Sequence, residues 1–382
     1  MVIFITRLCV AISLSLSLVH AGIAQEQSAQ AQAPQVKAAA YLEGQWRLSG
    51  APAVSVTVAY KGQIVFSKGI GFADLDNSVL AASSTVYNIG SVSKVITAVA
   101  IMKLFERGEI SLDDPIRKYV PAFPDKGSPI TIRQIMTHTS GIRHYRPTDF
   151  PDSLDNENWK PYASFEDAIK IFKNDPLLFE PGEYYFYSSY AVNLLQGVIE
   201  KVTGMAFEDY LRKYVWIPAG MINTSLDVPA RIVPNRAKGY MQYQGRLINN
   251  PYGDLTYKFA SGGMISTVED LVRFGVALNH GRLLKPETAA LMYEPQLKTV
   301  LRYQPNGAPI REDFAQGLAW RIQNTRGRNF VYHCGTVKGF NACLVNYVDE
   351  DLVVAVADNM AAIGWRPALE FAGFFRASRQ DK

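Results

Sequence analysis

The chain has 382 residues, of which 48% are hydrophobic and 19% are charged, and this composition is typical of a globular protein with a large core. Its 39 basic and 35 acidic residues give a net charge of +4 and are spread along the chain without basic runs. This balance excludes the strongly charged surface that a nucleic-acid-binding or membrane-surface protein needs.

The first 24 residues have the pattern of a secretory signal peptide. A single cation is followed by an apolar run from Leu8 to Val19 and then by small residues that suit a cleavage site. We predict cleavage after Ala24, with Ala21 as the alternative, and export to the periplasm or the medium. An uncleaved anchor is the competing interpretation, which the shortness of the apolar run disfavours. Residues 25–40 are rich in glutamine and alanine and are predicted to form a disordered lead-in.

Strand patterns lie near both ends of the chain. Alternating residues flank Lys61-Gly62 and predict a β-hairpin with strands at 54–59 and 63–69. Near the C-terminus, short turns separate three further predicted strands at 328–335, 340–348 and 352–358.

Apolar residues recur at helical spacing between these strand regions and again after them. The predicted helices are 91 to about 107, 130–136, 164–173, 191–203, 207–215, 271–278 and 368–376, with a further short helix opened by Pro286. A capping box is predicted to begin at Ser266, before the helix at 271–278.

Strands at both ends with helices between them predict an α+β fold. One antiparallel sheet, built from both chain ends and flanked by helices, is interrupted by a mostly helical inserted domain. Within a catalytic domain at 41–382, we assign the sheet-bearing part to about 41–85 and 255–382 and the insertion to about 86–254.

The mature chain would keep two of its three cysteines, because Cys9 leaves with the signal peptide. Cys334 and Cys343 lie on neighbouring predicted strands, and neither has metal-ligand spacing. We expect two buried thiols, with a cross-strand disulfide as the alternative in an oxidising compartment.

The segment around Ser91 carries the first candidate catalytic pair. Ser91 lies at the first turn of a predicted buried helix and Lys94 follows three residues later, so the hydroxyl and the amine share one face. This places a nucleophile beside a proton acceptor, at a helix end whose free N–H groups favour developing negative charge. The same spacing also fits a serine N-cap before an ordinary core helix.

Tyr187 is the second candidate, just before a predicted helix. A tyrosine acts as a general base only where its pKa is lowered, and the ammonium of Lys94 would have that effect. The alternative is aromatic packing, because Tyr184, Tyr185 and Tyr190 crowd the same segment.

His333, at the end of a predicted strand, is the third candidate. Gly335 would let a substrate approach the backbone closely, and the N–H of Thr336 is a candidate oxyanion donor. A structural histidine is the competing interpretation. His138 and His144 are six residues apart in a loop-like stretch and do not suggest a metal site.

These candidates occur along the chain in the order S-x-x-K, Y-x-x and H-x-G. With these three motifs in this order, the chain resembles the class C-like branch of the serine β-lactamase and penicillin-binding-protein superfamily. The flanking segments 136–141 and 261–271 are also typical of that branch. Segments 140–145, 172–177 and 285–288 narrow the resemblance to the mitochondrial serine β-lactamase-like proteins and their bacterial relatives.

The resemblance implies an active site between the sheet and the helical insertion, without a metal or a cofactor. It implies that Ser91 is the acylated nucleophile and that Lys94 and Tyr187 transfer protons. It further implies that the backbone N–H groups of Ser91 and Thr336 form the oxyanion hole.

The resemblance also places Ser189, His333 and Gly335 against the substrate, and two of them depart from the usual pattern. Ser189 stands where the superfamily usually has asparagine, which argues against efficient β-lactam turnover. His333 stands where many members have lysine, so a permanent charge for a substrate carboxylate is missing. We expect His333 to bind a carboxylate as a cation that titrates near neutral pH. A long charged insertion that is typical of the animal proteins is absent, so their assembly is not implied.

The sequence therefore predicts an exported serine hydrolase that acts through an acyl-enzyme on peptides or on small amides and esters. A true β-lactamase or a D-alanyl-D-alanine carboxypeptidase is the nearest enzymatic alternative. A non-enzymatic binding or filament scaffold of the same fold is the alternative of another class. No nucleic-acid partner and no membrane role beyond export are expected, and the sequence does not predict the oligomeric state.

Overall fold

The computed structural model describes residues 33–150, 158–251 and 253–376. The predicted signal peptide and the lead-in up to residue 32 lie outside these residues. The helices are α1 (Pro34–Ser49), α2 (Ser93–Glu106), α3 (Ile132–Met136), α4 (Phe165–Ile169), α5 (Ser189–Thr203), α6 (Phe207–Leu211), α7 (Ile217–Ala219), α8 (Phe259–Gly262), α9 (Val268–Asn279), α10 (Pro286–Tyr293) and α11 (Arg366–Phe375). The strands are β1 (Ala53–Tyr60), β2 (Gln63–Asp74), β3 (Val79–Leu80), β4 (Tyr87–Asn88), β5 (Ser225–Leu226), β6 (Tyr240–Tyr243), β7 (Arg246–Asn249), β8 (Met264–Ser266), β9 (Leu301–Arg302), β10 (Ile310–Arg311), β11 (Ala315–Gln316), β12 (Arg321–Thr325), β13 (Arg328–Val337), β14 (Phe340–Tyr347) and β15 (Leu352–Asp358).

The main sheet joins the two ends of the chain. Its strand order is β11-β12-β13-β14-β15-β1-β2-β3, and every neighbouring pair is antiparallel. The pairing of β1 with β15 connects the N-terminal hairpin to the C-terminal strands. The predicted fold class, with one antiparallel sheet built from both chain ends and flanked by helices, is confirmed.

Both faces of the sheet are covered, so its central strands are buried throughout. On one face, Val54, Val56 and Val58 of β1 join the core formed with α1 and α11. On the other face, Ala53 and Ala59 join the larger core that contains α2 and α9. Ser55 and Thr57 alternate with these valines and are buried on the second face, so the alternation of β1 does not mark an exposed side.

Helix α2 lies at the centre of the molecule and carries the candidate serine and lysine at its start. Eleven of its fourteen residues are buried, and it packs against the helices α5 and α8. A helix that is apolar all round is stable only when it is enclosed on every side. The polar groups at its N-terminal end are therefore held in a rigid, largely water-free setting.

The local predictions are mostly confirmed, with shifts of two or three residues at several helix starts. Two α-helices are shorter than predicted and end at Ile169 and Leu211 rather than at 173 and 215. The N-terminal hairpin and the three C-terminal strands form as predicted. Ser91 lies in a 3-10 turn, so the α-helix begins two residues later, at Ser93. The capping box predicted at Ser266 is wrong by one residue, because Thr267 is the N-cap and its hydroxyl accepts a hydrogen bond from the N–H of Asp270 at 3.1 Å.

The prediction of a disordered lead-in is wrong for residues 34–40, which belong to α1. Pro34 occupies the first turn, where its missing N–H carries no cost. Ala38 and Leu42 are buried, and the ring of Tyr41 lies 5.0 Å from the ring of Phe371 in α11. Packing against α11 therefore orders a segment whose composition alone predicts disorder.

The expectation of two buried thiols is also wrong, because Cys334 and Cys343 form a disulfide. The two residues lie directly opposite each other on β13 and β14, with their Cα atoms 4.1 Å apart. That spacing is typical of a non-hydrogen-bonded antiparallel pair, in which facing side chains come closest. In the part of the chain that the structure describes, none of the helices combines the length and the apolar character needed to span a bilayer.

Candidate active site

Ser91 lies in a 3-10 turn, Gly90–Val92, which leads directly into α2. Ser93 holds this turn in place, because its hydroxyl donates a hydrogen bond to the carbonyl oxygen of Gly90 at 2.7 Å and accepts one from the N–H of Met264 at 3.3 Å. The Ser91 hydroxyl therefore sits at the N-terminal end of a buried helix, where free N–H groups and the helix dipole favour negative charge.

Lys94 is fully buried on the first turn of α2 and reaches the candidate nucleophile. Its Nζ lies 2.9 Å from Ser91 Oγ, 2.9 Å from Ser189 Oγ and 2.6 Å from the carbonyl oxygen of Ser261. The amine also lies 4.8 Å from the centre of the Tyr187 ring. Ser91 and Lys94 meet because of helical spacing, whereas the other groups come from distant parts of the chain.

Burial lowers the pKa of Lys94 well below its ordinary value, and the neighbouring cations Lys258 and Arg321 lower it further. The site therefore favours the neutral amine, which has two N–H donors and one lone pair. Donation to Ser261 and Ser189 leaves the lone pair for the hydroxyl proton of Ser91. This arrangement can deprotonate a nucleophile.

The pKa of Tyr187 is shifted in the direction opposite to the one expected. Burial raises it well above its ordinary value, and the nearby Ser91 hydroxyl offsets this only in part. The expectation that Lys94 lowers this pKa is wrong, because the buried lysine is itself the group that loses its charge. Tyr187 is a neutral phenol, suited to donate a proton.

Two histidines hold the segment that carries Tyr187 and Ser189. The N–H of Ser188 donates to His138 Nδ1 at 3.3 Å, and the N–H of Ser189 donates to His144 Nδ1 at 3.2 Å. Burial lowers the pKa of both histidines, to about 3 for His144, so each ring keeps the neutral nitrogen that these bonds require. The sequence does not reveal this role, because the partners lie 45 to 50 residues apart.

His333 faces the cavity from β13, as predicted, but in its neutral form. Burial lowers its pKa well below the ordinary value, and the charges of Arg321 and Lys94 add to the effect. The expectation that His333 binds a carboxylate as a cation near neutral pH is therefore wrong. His333 Nδ1 donates to the carbonyl oxygen of Cys334 at 2.8 Å, which leaves Nε2 as an acceptor.

Gly335 allows β13 and the serine turn to approach each other more closely than a side chain would permit. A Cβ atom at Gly335 would lie 2.0 Å from the carbonyl oxygen of Ile89 and 2.4 Å from the nitrogen of Ser91. A Cβ atom at Gly90, where φ is +48°, would lie 2.9 Å from the nitrogen of Thr336. The two backbones are thus in direct contact, as an oxyanion hole shared between them requires.

The direction of the Thr336 N–H follows from the pairing of β13 with β14. Cys334 and Cys343 have the short Cα separation of a non-hydrogen-bonded pair, and Thr336 has the same phase as Cys334 along the strand. Its N–H therefore points away from β14, toward the free edge where Ser91 lies. This direction is the one that the predicted oxyanion hole of Ser91 and Thr336 needs, and the oxyanion hole itself stays a prediction.

Arg321 is a permanent cation that the sequence patterns did not single out. It begins β12 opposite Tyr332, the residue before His333, and it lines the same cavity as His333. Its guanidinium carbon lies 5.8 Å from the centre of the Tyr187 ring and 4.8 Å from that of Phe314. Among the described residues, Arg321 forms no ion pair with a carboxylate. Arg321 therefore brings a permanent positive charge into the cavity, where His333 is neutral.

One cavity of about 460 Å³ is lined by Ser91, Tyr187, Ser189, Arg321, His333 and Thr336, whereas Lys94 and Gly335 are buried and do not belong to its lining. A larger depression of about 770 Å³ surrounds Arg143, which is paired with Asp149 and Asp175, but its lining does not include Ser91. Chemistry rather than size therefore identifies the site. Within 33–150, 158–251 and 253–376, no three His, Cys, Asp or Glu side chains form a group that could hold a metal ion.

Comparison with known proteins agrees with this geometry. The sequence matches the family described as Beta-lactamase over residues 38–361, which is most of the chain. The chain belongs to the beta-lactamase family. The predicted superfamily is thus confirmed, and the pairing of Ser91 with Lys94 is found in a chain of the expected family and fold.

Relatives of this beta-lactamase family protein include the human mitochondrial serine beta-lactamase-like protein LACTB, which is 30% identical over 87% of this chain and 78% of its own length. Penicillin-binding protein 4* of Bacillus subtilis is 28% identical over 77% of this chain and 65% of its own length. An octameric penicillin-binding protein homologue from Pyrococcus abyssi has a similar structure, with a TM-score of 0.74 and 28% identity over 87% of this chain and 75% of that one.

The alignment with the human protein spans 429 positions, although this chain has only 382 residues. The human protein must therefore carry residues within the aligned region that this chain lacks.

Proposed function

We propose that this protein is a serine hydrolase that forms an acyl-enzyme at Ser91 with peptides, or with small amides and esters. The observation that best supports this function is the 2.9 Å contact between Lys94 Nζ and Ser91 Oγ, made by a fully buried amine. Burying a lysine destabilises a fold unless it is neutral and hydrogen-bonded. A scaffold has no use for such a group beside a serine, which argues against the non-enzymatic alternative.

Acylation uses these groups in turn. Lys94 takes the hydroxyl proton while Ser91 Oγ bonds to the carbonyl carbon of the substrate, and the N–H groups of Ser91 and Thr336 bind the resulting oxyanion. When the oxyanion collapses, the bond to the leaving group breaks. The departing amine or alcohol receives a proton from the phenol of Tyr187, which recovers one from the Lys94 ammonium.

Deacylation reverses the roles with water as the nucleophile. The amine of Lys94 accepts a proton from water as its oxygen bonds to the acyl carbon, and the oxyanion hole holds the second intermediate. The bond between the acyl carbon and Ser91 Oγ then breaks, the serine oxygen takes back a proton from the Lys94 ammonium, and the acid product leaves.

The charges around the cavity favour a substrate that carries a carboxylate. Arg321 is a guanidinium without a carboxylate partner among the described residues, and carboxylates are the anions that a guanidinium binds best. Ser189 is held by Lys94 and offers no amide to the substrate. A true β-lactamase or a D-alanyl-D-alanine carboxypeptidase would also use a carboxylate, so both remain alternative functions.

Export through the predicted signal peptide at residues 1–24 is part of the proposal. The disulfide between Cys334 and Cys343 supports it, because such bonds persist mainly in oxidising compartments. The division into a sheet-bearing part and an insertion at about 86–254 also remains a proposal.

Intact-mass analysis tests the function directly. The protein is treated with a fluorophosphonate or with a fluorescent penicillin, and the mass increase and its persistence are followed. Ser91→Ala should abolish labelling by both probes while leaving the thermal unfolding curve nearly unchanged. Labelling of this variant at the wild-type level would refute the assignment of the nucleophile. A penicillin adduct that is lost rapidly would favour the β-lactamase alternative.

A further inference from the structure

Arg321 shares the catalytic cavity with two lysines, Lys258 and Lys338, and Lys258 lies in the 3-10 turn before α8. The residue is 5% exposed and lines the same cavity as Ser91. Its Nζ lies 5.2 Å from the centre of the Tyr145 ring and 5.1 Å from that of Tyr257. In the described ranges, Lys258 forms no ion pair with a carboxylate.

Two ring faces offset only part of the cost of removing an ammonium from water. The position is also unfavourable because the charge acts on Lys94 and lowers its pKa. Within the described residues, two ring faces and no carboxylate surround the ammonium of Lys258. An incoming anion would supply the missing partner, since a charge-assisted hydrogen bond is strongest where water is excluded.

Arg321 and Lys258 reach the cavity from different elements, β12 and the 3-10 turn before α8. Arg321 lies over the ring of Tyr187, and its charge lowers the pKa of His333. Lys258 lies over Tyr145 and Tyr257, and its charge lowers the pKa of His144 instead. Both charges lower the pKa of Lys94, so both cations lie near it.

We propose that Lys258 forms a second anion-binding position, so that the preferred substrate is a short acidic peptide or peptide-like ester with two acidic groups. One group binds Arg321 and the other binds Lys258, on opposite sides of the bond that Ser91 attacks. This inference rests on the proposed serine hydrolase function and specifies the substrate class of that site.

Four matched esters provide the test. The acyl part is succinyl-glycyl or butanoyl-glycyl, and the leaving group is 3-carboxyphenol or phenol, so that each side of the scissile bond is tested with and without a carboxylate. The value of kcat/KM is measured for each ester with the wild-type protein and with Lys258→Met and Lys258→Arg. Ratios between acidic and neutral esters are compared within each variant, because this cancels any change in the basicity of Lys94.

We expect the wild-type protein to favour the ester with two carboxylates. Lys258→Met should lower the preference for a carboxylate on one side of the scissile bond by about tenfold or more, and leave the preference on the other side within about twofold. Lys258→Arg should restore most of the lost preference. Lys213 is a matched control, because its Nζ lies 5.0 Å from the Tyr214 ring in an exposed position, and Lys213→Met should change neither ratio.

Unchanged ratios in Lys258→Met, or an equal fall on both sides, would overturn the inference while leaving the hydrolase function in place. Absence of Ser91-dependent hydrolysis of all four esters, together with absence of fluorophosphonate labelling, would instead overturn the proposed function and this inference with it. A circular dichroism spectrum and melting curve of Lys258→Met confirm that the compared variants are folded.

Discussion

Gly335→Ala tests the geometry of the oxyanion hole without touching a reactive group. The added methyl would lie 2.0 Å from the carbonyl oxygen of Ile89, whereas Cβ atoms in proteins essentially never come within 3.0 Å of another heavy atom. The methyl would also lie 2.4 Å from the nitrogen of Ser91. Both of these atoms belong to the backbone and cannot rotate away, so β13 and the serine turn must separate by about 1 Å, the difference between 2.0 and 3.0 Å. The N–H of Thr336 moves with β13, away from the substrate oxyanion that we propose it binds together with the N–H of Ser91.

A displacement of that size, or the loss of one oxyanion donor, lowers the rate about 100-fold. We therefore expect Gly335→Ala to lower kcat/KM for an ester by about 100-fold, mainly through kcat, and to slow fluorophosphonate labelling similarly. The overpacking should lower the free energy of unfolding by about 1–3 kcal/mol, so the variant stays folded.

Gly373 is the matched control for this substitution. It lies exposed in α11, and a Cβ atom there meets nothing within 4 Å. Gly373→Ala should leave kcat/KM unchanged and should stabilise the helix by about 0.5–1 kcal/mol. A folded Gly335→Ala protein whose kcat/KM stays within about threefold of the wild type would refute the proposed oxyanion hole.

Three further predictions follow from the directions of the pKa shifts. Tyr187→Phe should lower kcat/KM by about 100-fold, whereas Tyr184→Phe, outside the cavity, should change it less than about twofold; equal effects would argue for a packing role. For a neutral ester, kcat/KM should rise with pH as Lys94 loses its proton and should level off well below the ordinary lysine pKa, because burial lowers that of Lys94; a rise that continues to about pH 10.4 would contradict a neutral base. The ratio of kcat/KM for a carboxylate-bearing ester to that for a neutral ester should stay constant between about pH 5.5 and 8, because His333 is neutral and Arg321 keeps its charge; a falling ratio would show that His333 titrates.

Local patterns in the sequence were sufficient to predict much of the scaffold. The hairpins depend on alternation and turn residues, which are properties of neighbouring positions. The 2.9 Å contact between Ser91 and Lys94 depends on helical spacing alone, so an S-x-x-K pattern predicts it. Gly335 could be identified for a similar reason, because a glycine at the end of a strand indicates a close approach of backbone.

The sequence alone did not determine which distant segments enter the site. Ser261, which accepts a hydrogen bond from Lys94, lies 167 residues away from it along the chain. Arg321 and Lys258 belong to separate elements and carry no motif, so their place in the cavity follows only from the packing of the sheet against the helical region. The folding of residues 34–49 into α1 depends on packing against α11, and the disulfide depends on the pairing of β13 with β14.

The protonation states were decided by tertiary structure for the same reason. The sequence suggested a charged Lys94 beside a Tyr187 of lowered pKa, together with a titrating His333. Burial disfavours the charged form of each of these groups, so Lys94 and His333 become neutral and Tyr187 keeps its proton. Residue types and spacing determine which groups can react, but the removal of water by surrounding elements determines which of them can accept a proton and which can donate one.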